Sequence, residues 1–416
     1  MTLTEARSSG PLEGVVILDL TRVLSGPYAT MLLGDLGATV IKVEDPRTGD
    51  TTRHSAPFQA GASHYFLTLN RNKKSLALDI KTPRGLEIVK SLCRRADVLV
   101  ENFRPGKLAQ LGLDAETLRA TNPALIVCSI SGFGQNGPLR DRIAYDVIAQ
   151  AMSGVLSTNG EPDGPPVRLS LPVADCAAGL FADIGILAAL LARDRGREVR
   201  SIDIGLFDGL ISMLGYMTTL YSMNGQTAPR VGSRHQSVVP YGTFATNDGW
   251  LALAVFSSKF WMKFCKAVER EDLASDERFK RTRDRMQNRG ALEAEIEAIM
   301  LTRSTAQWDE MLQRADVPAS AILTVPQALD HPQTAARGMF PEISHPAYGT
   351  FRVAGPPLKM GGKNVDHPTA PPLLGEDTAD VLRVFAQLSD DEIAALVRDG
   401  VATVAERPAV QAESNA

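Results

Sequence analysis

Short apolar runs alternate with helical segments along the first half of the chain, and this alternation constrains the fold more than any other feature. Residues 15–20 (VVILDL) and 39–43 (TVIKV) have the length and composition of strands, and Gly26-Pro27 opens a helix between them. Runs that are apolar throughout are typical of strands buried on both faces of a parallel sheet. The pattern therefore predicts an α/β fold built from strand–helix–strand units.

The alternation continues to about residue 222 and then changes. Further strands are predicted at residues 75–79, 98–100, 125–130, 167–173 and 199–204, and further helices at 83–96, 146–154, 176–192 and 206–222. Residues 224–243 are polar and contain Gly, Pro and Arg, which is typical of a linker or an active-site loop. A hairpin around Asn247-Asp248-Gly249, followed by charged helices, predicts a smaller α+β domain over residues 244–326.

Composition and charge exclude several classes of protein. The net charge is −4, so the basic surface of a nucleic-acid-binding protein is missing. The cysteines form no CxxC pair and have no histidines at metal-ligand spacing, which predicts reduced thiols, no metal site and a cytoplasmic protein. The N-terminus lacks a signal-peptide pattern. The longest apolar segment, residues 179–192, contains Asp183 and is too short to cross a bilayer, so we expect no membrane insertion.

Asp175 stands at the junction of a predicted strand and a predicted helix. In parallel α/β sheets, ligands bind beyond the carboxyl ends of the strands. An Asp at a helix start accepts backbone N–H bonds and feels the positive end of the helix dipole, which favours its ionised form by about 0.3–1 kcal/mol. The small residues at 174 and 177–179 leave room for a bulky group beside the carboxylate. Because an Asp here is more often only a structural helix cap, the local pattern leaves both roles open.

Six segments, in a fixed order, resemble a known family. They are residues 10–44 (containing ILDLTRVLSGPYATMLLGDLGATVIKVE), 70–85 (NRNKKSLALDIKTPRG), 96–112 (ADVLVENFRPGKLAQLG), 129–154 (ending in AYDVIAQAMSG), 172–191 and 370–382 (APPLLGEDTADVL). Together they resemble the family III coenzyme A transferases, the group that contains formyl-CoA transferase and the carnitine CoA-transferases. The resemblance covers nearly the whole chain and is least distinctive at residues 256–325.

This resemblance implies a fold that patterning alone does not reveal. The family has a large Rossmann-like domain whose parallel sheet is built from both chain ends, together with a smaller α+β domain. Its subunits are ring-shaped and form an interlaced homodimer. The expected divisions are 1–223 for the first part of the large CoA-binding domain, 224–243 for a linker, 244–326 for the small domain, and 327–416 for a second linker and the return to the large domain.

The resemblance also implies a mechanism, because Asp175 matches the family's catalytic aspartate. Its carboxylate is expected to attack the thioester carbonyl of an acyl-CoA, holding first the acyl group as a mixed anhydride and then CoA as an aspartyl thioester. Covalent catalysis of this kind divides one difficult exchange into easier steps. The expected substrates are an acyl-CoA, which supplies coenzyme A, and a free carboxylic acid, with no metal.

Other positions of the family's CoA site carry over residue by residue. An aromatic side chain can pack against adenine, and cations can meet the phosphates. The expected CoA-binding residues are the turn Arg22, Val23, Leu24 and Ser25, the pair Asn102 and Phe103, the pair Tyr145 and Asp146, and the cations Arg71, Lys73, Lys74, Arg104 and Lys107. Phe103 is equally expected as a core residue, and any one of the cations is more often a solvated surface charge.

The chain departs from the family pattern in its phosphate-binding positions. Gln110 stands where members often have Arg, and Asp45 stands where they often have Arg or Pro. Arg47 or Lys107 would then take over the phosphate contact.

A second departure bears on the acid substrate. The glycine-rich loop of formyl-CoA transferase is missing, and residues 230–241 stand in its place. Arg230, Arg234 and His235 are candidates for binding the second carboxylate of a dicarboxylic acid, although a solvated linker would carry the same charges. We expect succinyl-CoA as donor, with itaconate, mesaconate, citramalate, malate or glutarate as acceptor.

Two other functions are weighed against CoA transfer. A 2-methylacyl-CoA racemase shares this fold but uses a His/Asp pair, and Tyr145 stands at the position of that histidine. A phenol with a reference pKa near 10 is a poor general base at neutral pH. A non-catalytic CoA-ester-binding protein is the other alternative, and Asp175 among small residues argues against it. A nicotinamide dehydrogenase is disfavoured because GxGxxG is missing from the first turn.

Overall fold

A computed structural model describes residues 10–361, 363–364 and 368–405 of the chain. These residues form two compact units. The larger unit takes in the described residues of 1–153, 170–213 and 332–416, and the smaller unit takes in 154–169 and 214–331. This division differs from the predicted boundaries, because residues 154–169 group with the smaller unit and its second segment runs from 214 to 331.

Strands and helices alternate through most of the larger unit. In chain order, the strands of the described residues are β1 (Val16–Asp19), β2 (Thr39–Glu44), β3 (Phe58–Gln59), β4 (Ala62–Ser63), β5 (Lys73–Leu78), β6 (Val98–Glu101), β7 (Ile126–Ser131), β8 (Ser201–Gly205), β9 (Tyr241–Ala245), β10 (Trp250–Ala254), β11 (Ala319–Ala321), β12 (Glu342–His345), β13 (Gly349–Arg352), β14 (Lys359–Met360), β15 (Lys363–Asn364) and β16 (Ala402–Thr403). The α-helices of the same residues are α1 (Ser25–Asp35), α2 (His64–Leu69), α3 (Pro83–Cys93), α4 (Lys107–Gln110), α5 (Ala115–Arg119), α6 (Asp146–Met152), α7 (Val155–Thr158), α8 (Val173–Asp194), α9 (Leu206–Met213), α10 (Tyr216–Asn224), α11 (Ser258–Ala267), α12 (Glu271–Ser275), α13 (Thr282–Gln287), α14 (Arg289–Met300), α15 (Thr305–Arg314), α16 (Val325–Leu329), α17 (Pro332–Ala336), α18 (Thr378–Val384) and α19 (Asp390–Arg398). A short 3₁₀-helix covers Thr51–His54.

The larger unit is built on a mainly parallel sheet with the spatial order β16-β5-β2-β1-β6-β7-β8. Counted along the six parallel strands, this is the order 3-2-1-4-5-6 of Rossmann-like folds. β16 pairs antiparallel with β5, aligning Ala402 with Leu78. The predicted α/β sheet with strands from both chain ends is therefore confirmed. Chain order reverses between β1 and β6, and ligands of such sheets bind at the carboxyl ends of the strands beside this switch point.

The central strands are buried on both faces, which explains why their sequences are apolar throughout. Ile17, Leu18, Val40 and Ile41 are each no more than 1% exposed. α8 packs against α1 and α9 on this sheet. Each Å² of apolar surface that is removed from water stabilises the folded state by about 25 cal/mol, so this packing is the main stabilising contribution to the unit.

The helix that carries Asp175 begins differently from the prediction. Residues 165–172 form no strand, and α8 starts at Val173 and continues for 22 residues. By length and composition alone such a helix is long enough to cross a membrane, which corrects the expectation that the apolar segment is too short. Half of the most apolar 18-residue stretch of this helix is buried within the protein, and helices in the core of a folded domain can have the same length and composition. The absence of membrane insertion therefore stays a prediction.

The smaller unit contains the predicted hairpin. β9 and β10 pair antiparallel around the turn at residues 246–249, and β11 pairs antiparallel with the other edge of β10. Phe244, Trp261 and Trp308 pack in its core.

The predicted single helix over 206–222 is divided into two helices in the structure, α9 and α10. Gly215, which lies between them, adopts a positive φ of 58° that interrupts the helix.

Candidate active site

Asp175 lies in the first turn of α8, but it does not cap that helix. The backbone N–H of Ala174 donates to Asp146 Oδ1 at 2.8 Å. The other oxygen of Asp146 accepts from Gln150 Nε2 at 2.6 Å. Asp146 therefore caps α8 from the start of α6, so of the two roles that the local sequence left open for Asp175, that of a structural helix cap is not the one seen. The carboxylate of Asp175 is left available for other partners.

The surroundings of Asp175 oppose its ionisation. Burial and the nearby charge of Asp146 raise the pKa of Asp175 to about 7, and a hydrogen bond from the Ser25 hydroxyl acts in the opposite direction. The small preference for the ionised form that we expected from the helix start is therefore outweighed by burial and by Asp146. A carboxylate that has lost part of its hydration and still ionises near neutral pH suits a nucleophile. The neighbouring Cys176 has a pKa raised to about 11 by burial and by Asp175, so its thiol stays protonated.

A close contact between two helices fixes where Asp175 lies. Gly179, one turn after Asp175, packs so tightly on α1 that a Cβ there would stand 2.9 Å from the Ser25 carbonyl oxygen and 3.0 Å from a ring carbon of Tyr28. Only a glycine fits at this distance. Because Ser25 both touches Gly179 and hydrogen-bonds to Asp175, the start of α1 and the first turn of α8 form one rigid site.

The turn that precedes α1 has the unusual backbone expected of a ligand-binding loop. Val23 has a positive φ of 68°. A β-branched residue in this left-handed region is strained by about 1–2 kcal/mol. The amide of Asn102 holds the preceding residue on both sides, accepting from Arg22 N at 2.8 Å and donating to Arg22 O at 2.7 Å. Asn102 follows β6 and Arg22 follows β1, so this turn lies at the switch point of the sheet.

An aromatic ring and a cation stand at the same switch point. The guanidinium carbon of Arg22 is 5.4 Å from the ring centre of Phe103. Phe103 is half-buried, and its backbone N–H donates to Glu101 at 2.7 Å. A shallow cleft at the carboxyl ends of β1, β2 and β5 is lined by Leu20, Arg22, Val43, Glu44, Asp45, Leu78, Asp79, Ile80, Lys81 and Phe103. Leu24 and Ser25, by contrast, are buried behind the turn.

Lys81 is a residue that the sequence interpretation missed. It lines the cleft with 70% of its side chain exposed, 3.6 Å from Asp45. Arg47 is equally exposed and also lies 3.6 Å from Asp45. Lys81 comes three residues after the last residue of a parallel strand, and position at a strand's carboxyl end was the signal that could have identified it.

Two of the predicted phosphate-binding cations are buried and paired. Arg71 forms a two-point ion pair with Asp35, at 2.8 and 2.5 Å. The Lys73 side chain is 0% exposed, with Nζ 3.2 Å from Asp19. Burial and Asp19 act in opposite directions on Lys73, and burial prevails, lowering its pKa to about 8. Neither side chain reaches the surface, so this placement corrects the expectation that they meet CoA phosphates.

The remaining predicted cations are more accessible. Arg104 and Lys107 are exposed on the segment after β6. Arg140, which the sequence interpretation also missed, lies beside Gly106, where a Cβ would be 3.4 Å from its guanidinium. Lys74 lies 3.7 Å from Asp377 with 21% of its side chain exposed. Arg104, Lys107 and Arg140 therefore add accessible positive charge to that of Lys81 and Arg47.

The predicted acid-binding residues belong to the smaller unit, and their arginines already have partners. Arg230 donates to three backbone carbonyls at residues 161, 162 and 164. Arg234 donates to the carbonyl of Thr243 and pairs with Glu297 at 2.7 Å. The His235 ring packs 4.9 Å from that of Tyr241. These contacts explain both arginines as residues that stabilise the local fold. A role in binding the second carboxylate of a dicarboxylic acid is not needed to explain their presence.

Tyr145 directly precedes Asp146, and the residue is 67% exposed. Among residues 10–361, 363–364 and 368–405, no group of three or more His, Cys, Asp or Glu is arranged to hold a metal ion.

Comparison with known proteins assigns this fold and site to a family. The sequence profile of CoA-transferase family III matches residues 12–378. Succinyl-CoA:glutarate CoA-transferase of Mus musculus is 40% identical over 399 residues, covering 96% of this chain and 92% of that protein. Acetyl-CoA:oxalate CoA-transferase of Acetobacter aceti is 39% identical over 386 residues, covering 92% and 98%. A crystal structure of a CAIB/BAIF family protein from Brucella suis has a TM-score of 0.81 at 35% identity, covering 91% of this chain and 100% of that one.

The Rossmann-like sheet, the switch-point cleft and these relatives together define a CoA-transferase, an enzyme with acyl-CoA and carboxylic acid substrates. The chain belongs to CoA-transferase family III.

Proposed function

We propose that this enzyme transfers CoA through Asp175, which becomes covalently bound first to an acyl group and then to CoA. The observation that carries the proposal is the partly buried carboxylate beside Ser25, whose pKa of about 7 reflects lost hydration rather than a structural cap. A desolvated carboxylate is a stronger nucleophile than a hydrated one, and a site with little water protects an anhydride from hydrolysis.

The steps balance without a metal or an added cofactor. An oxygen of Asp175 attacks the thioester carbonyl, the carbon–sulfur bond breaks, and CoA leaves as a thiolate. The thiolate attacks the aspartyl carbonyl of the mixed anhydride and releases the first acid as a carboxylate. The second acid attacks the aspartyl thioester, giving a new anhydride and a thiolate. Attack of that thiolate on the new acyl carbonyl releases the second acyl-CoA and regenerates Asp175.

For the substrates, we propose succinyl-CoA as donor and a small dicarboxylate as acceptor. Support comes from the relatives, because the mouse protein is named for succinyl-CoA and glutarate and the Acetobacter aceti protein for oxalate. Arg230 and Arg234 add no support, because both are bound to acceptors of the smaller unit.

We also propose a cytoplasmic homodimer. Support for the dimer comes from α8, whose outer face carries an apolar stripe. Leu180, Ile184, Leu187 and Leu191 are between 37% and 62% exposed and recur at the spacing of one helix face. Contiguous apolar surface of this kind is typical of a protein interface. Size-exclusion chromatography with light scattering tests the dimer, and a monomeric mass would contradict it.

The transfer function is tested by offering succinyl-CoA with each of a panel of free acids and identifying the acyl-CoA products by mass spectrometry. We expect a new acyl-CoA with at least one dicarboxylate. Asp175→Asn should abolish transfer, while Asp183→Asn, which changes another buried aspartate of α8 two turns further on, should retain it. Solvent deuterium appearing at the α-carbon without transfer would instead support the racemase. CoA-ester binding with no turnover would support the binding protein.

A further inference from the structure

Side chains from three strand ends bind the backbone of Thr21 and Arg22, the first two residues of the turn before α1. The N–H and the hydroxyl of Thr21 both donate to Asp19 Oδ1, at 2.8 and 2.5 Å. The ammonium of Lys42 donates to the carbonyl oxygen of Thr21 at 2.8 Å. The next residue is held through both its N–H and its C=O by Asn102. The turn is therefore fixed from β1, β2 and β6 at once.

The fourth support is Asp50, which follows β2. Its Oδ1 lies 3.4 Å from the N–H of Val23, the residue with the left-handed backbone. Its Oδ2 lies 2.9 Å from Lys42 Nζ. Asp50 is itself held in place, because Thr52 donates to it through both its N–H and its hydroxyl at 2.9 Å. One buried ion pair thus contacts the turn at two residues, Thr21 through Lys42 and the strained Val23 through Asp50.

This ion pair is difficult to explain as a source of stability. The side chains of Lys42 and Asp50 are 0% and 1% exposed. Removing two charges from water opposes folding, and apolar replacements of similar volume are often as stable or more stable. A buried ion pair is better explained when it holds a geometry that the chain would not otherwise adopt. Here that geometry is the positive φ of Val23, which a β-branched residue leaves when its supports are removed.

We propose that Lys42 and Asp50 are positioning residues for coenzyme A: they act through the Thr21–Val23 backbone and hold it in the conformation that receives the CoA molecule. The inference rests on the proposed function, because it takes this turn as part of the CoA site. The Lys42 side chain is fully buried, so its effect on binding must pass through the turn. Asn102 joins them, since its amide oxygen and its amide nitrogen both hydrogen-bond to the backbone of Arg22.

The test compares free CoA binding by isothermal titration calorimetry with the kinetics of transfer. The double variant Lys42→Met/Asp50→Asn removes both charges together, so no unpaired charge is left in the interior. Asn at position 50 can still accept from Thr52. We expect the Kd for CoA and the KM for acyl-CoA to rise at least about tenfold, with kcat changed less than about threefold, because the turn must be ordered on binding. Asp175 lies outside the changed contacts.

A rescue separates positioning from general damage. Glycine adopts positive φ without strain. Adding Val23→Gly to the double variant should therefore recover at least about threefold of the lost CoA affinity. As a control, Arg193→Met removes an ion pair with Asp97, whose carboxylate accepts from the N–H of Val16 at the start of β1. This change lies at the end of β1 opposite to the turn and should leave the Kd for CoA within about twofold.

Unchanged CoA affinity in the folded double variant would overturn the inference, and so would a loss that Val23→Gly fails to recover. Either result leaves the proposed function standing if the wild-type enzyme still transfers CoA. The opposite outcome is that the wild-type enzyme transfers no CoA, while the double variant loses CoA affinity and Val23→Gly restores it. That outcome would reject the proposed function but would still support the positioning role of Lys42 and Asp50.

Discussion

Replacing Asp175 with Asn should make the protein more stable at neutral and alkaline pH. In the folded enzyme the pKa of Asp175 is raised from 3.8 to about 7 by burial and by Asp146. The folded state therefore binds this proton more tightly than the unfolded state. As the pH rises from about 4 to about 7, the wild type loses stability that the Asn variant keeps.

The magnitude follows from the size of that pKa difference. Each tenfold change in proton affinity corresponds to about 1.4 kcal/mol, so the full difference corresponds to about 4 kcal/mol above pH 7. Because Asp175 is only partly buried, water screens some of this, and we expect about 2 kcal/mol. At pH 4 the two proteins should be nearly equal in stability.

The assay must report on the larger unit. All three tryptophans, Trp250, Trp261 and Trp308, lie in the smaller unit, so tryptophan fluorescence does not serve. Hydrogen exchange of peptides covering β1 and β2, corrected for the intrinsic exchange rate at each pH, gives the free energy of opening where it is needed. Asp194→Asn, at the exposed far end of α8, is the matched control. Parallel pH profiles for the wild type and Asp175→Asn would refute the reasoning.

Three further changes test other parts of the site. Asp146→Asn keeps an acceptor for Ala174 N but removes a negative charge beside Asp175, so the acid limb of the kcat/KM profile should move to lower pH; an unmoved limb would contradict this assignment. Gly179→Ala forces α8 away from α1 and should destabilise the larger unit by about 1–3 kcal/mol in hydrogen exchange while lowering kcat, whereas wild-type stability would show that the contact can relax. Phe103→Ala removes the ring at the switch point and should raise the KM for acyl-CoA roughly tenfold with little change in kcat; a loss confined to stability would make Phe103 a core residue.

The sequence predicted the sheet well, because its central strands are buried on both faces. β2 was expected at 39–43 and lies at Thr39–Glu44, and β6 was expected at 98–100 and lies at Val98–Glu101. The strand expected at 167–173 is absent. There Val167 pairs with Asn159 instead, through its N–H and its C=O, in a local contact that apolar composition does not specify.

The site was harder to predict, because its key contacts join residues distant in sequence. Asp175 was identified by resemblance, but its electrostatics depend on Asp146, 29 positions earlier, and on Ser25. Lys73 reads as a surface cation until its partner is known, and that partner, Asp19, is 54 positions away. Local patterns predict strands and turns, while the pairing of buried charges is set by the order of strands in the sheet.

The central claim is that Asp175 forms a covalent bond to CoA. The most direct measurement incubates the enzyme with succinyl-CoA, quenches with hydroxylamine, and examines the peptide that carries residue 175 by mass spectrometry. We predict a hydroxamate on Asp175 in the wild type and none in Asp175→Asn. Transfer to an acceptor acid in the same reaction without any modification of Asp175 would contradict the account.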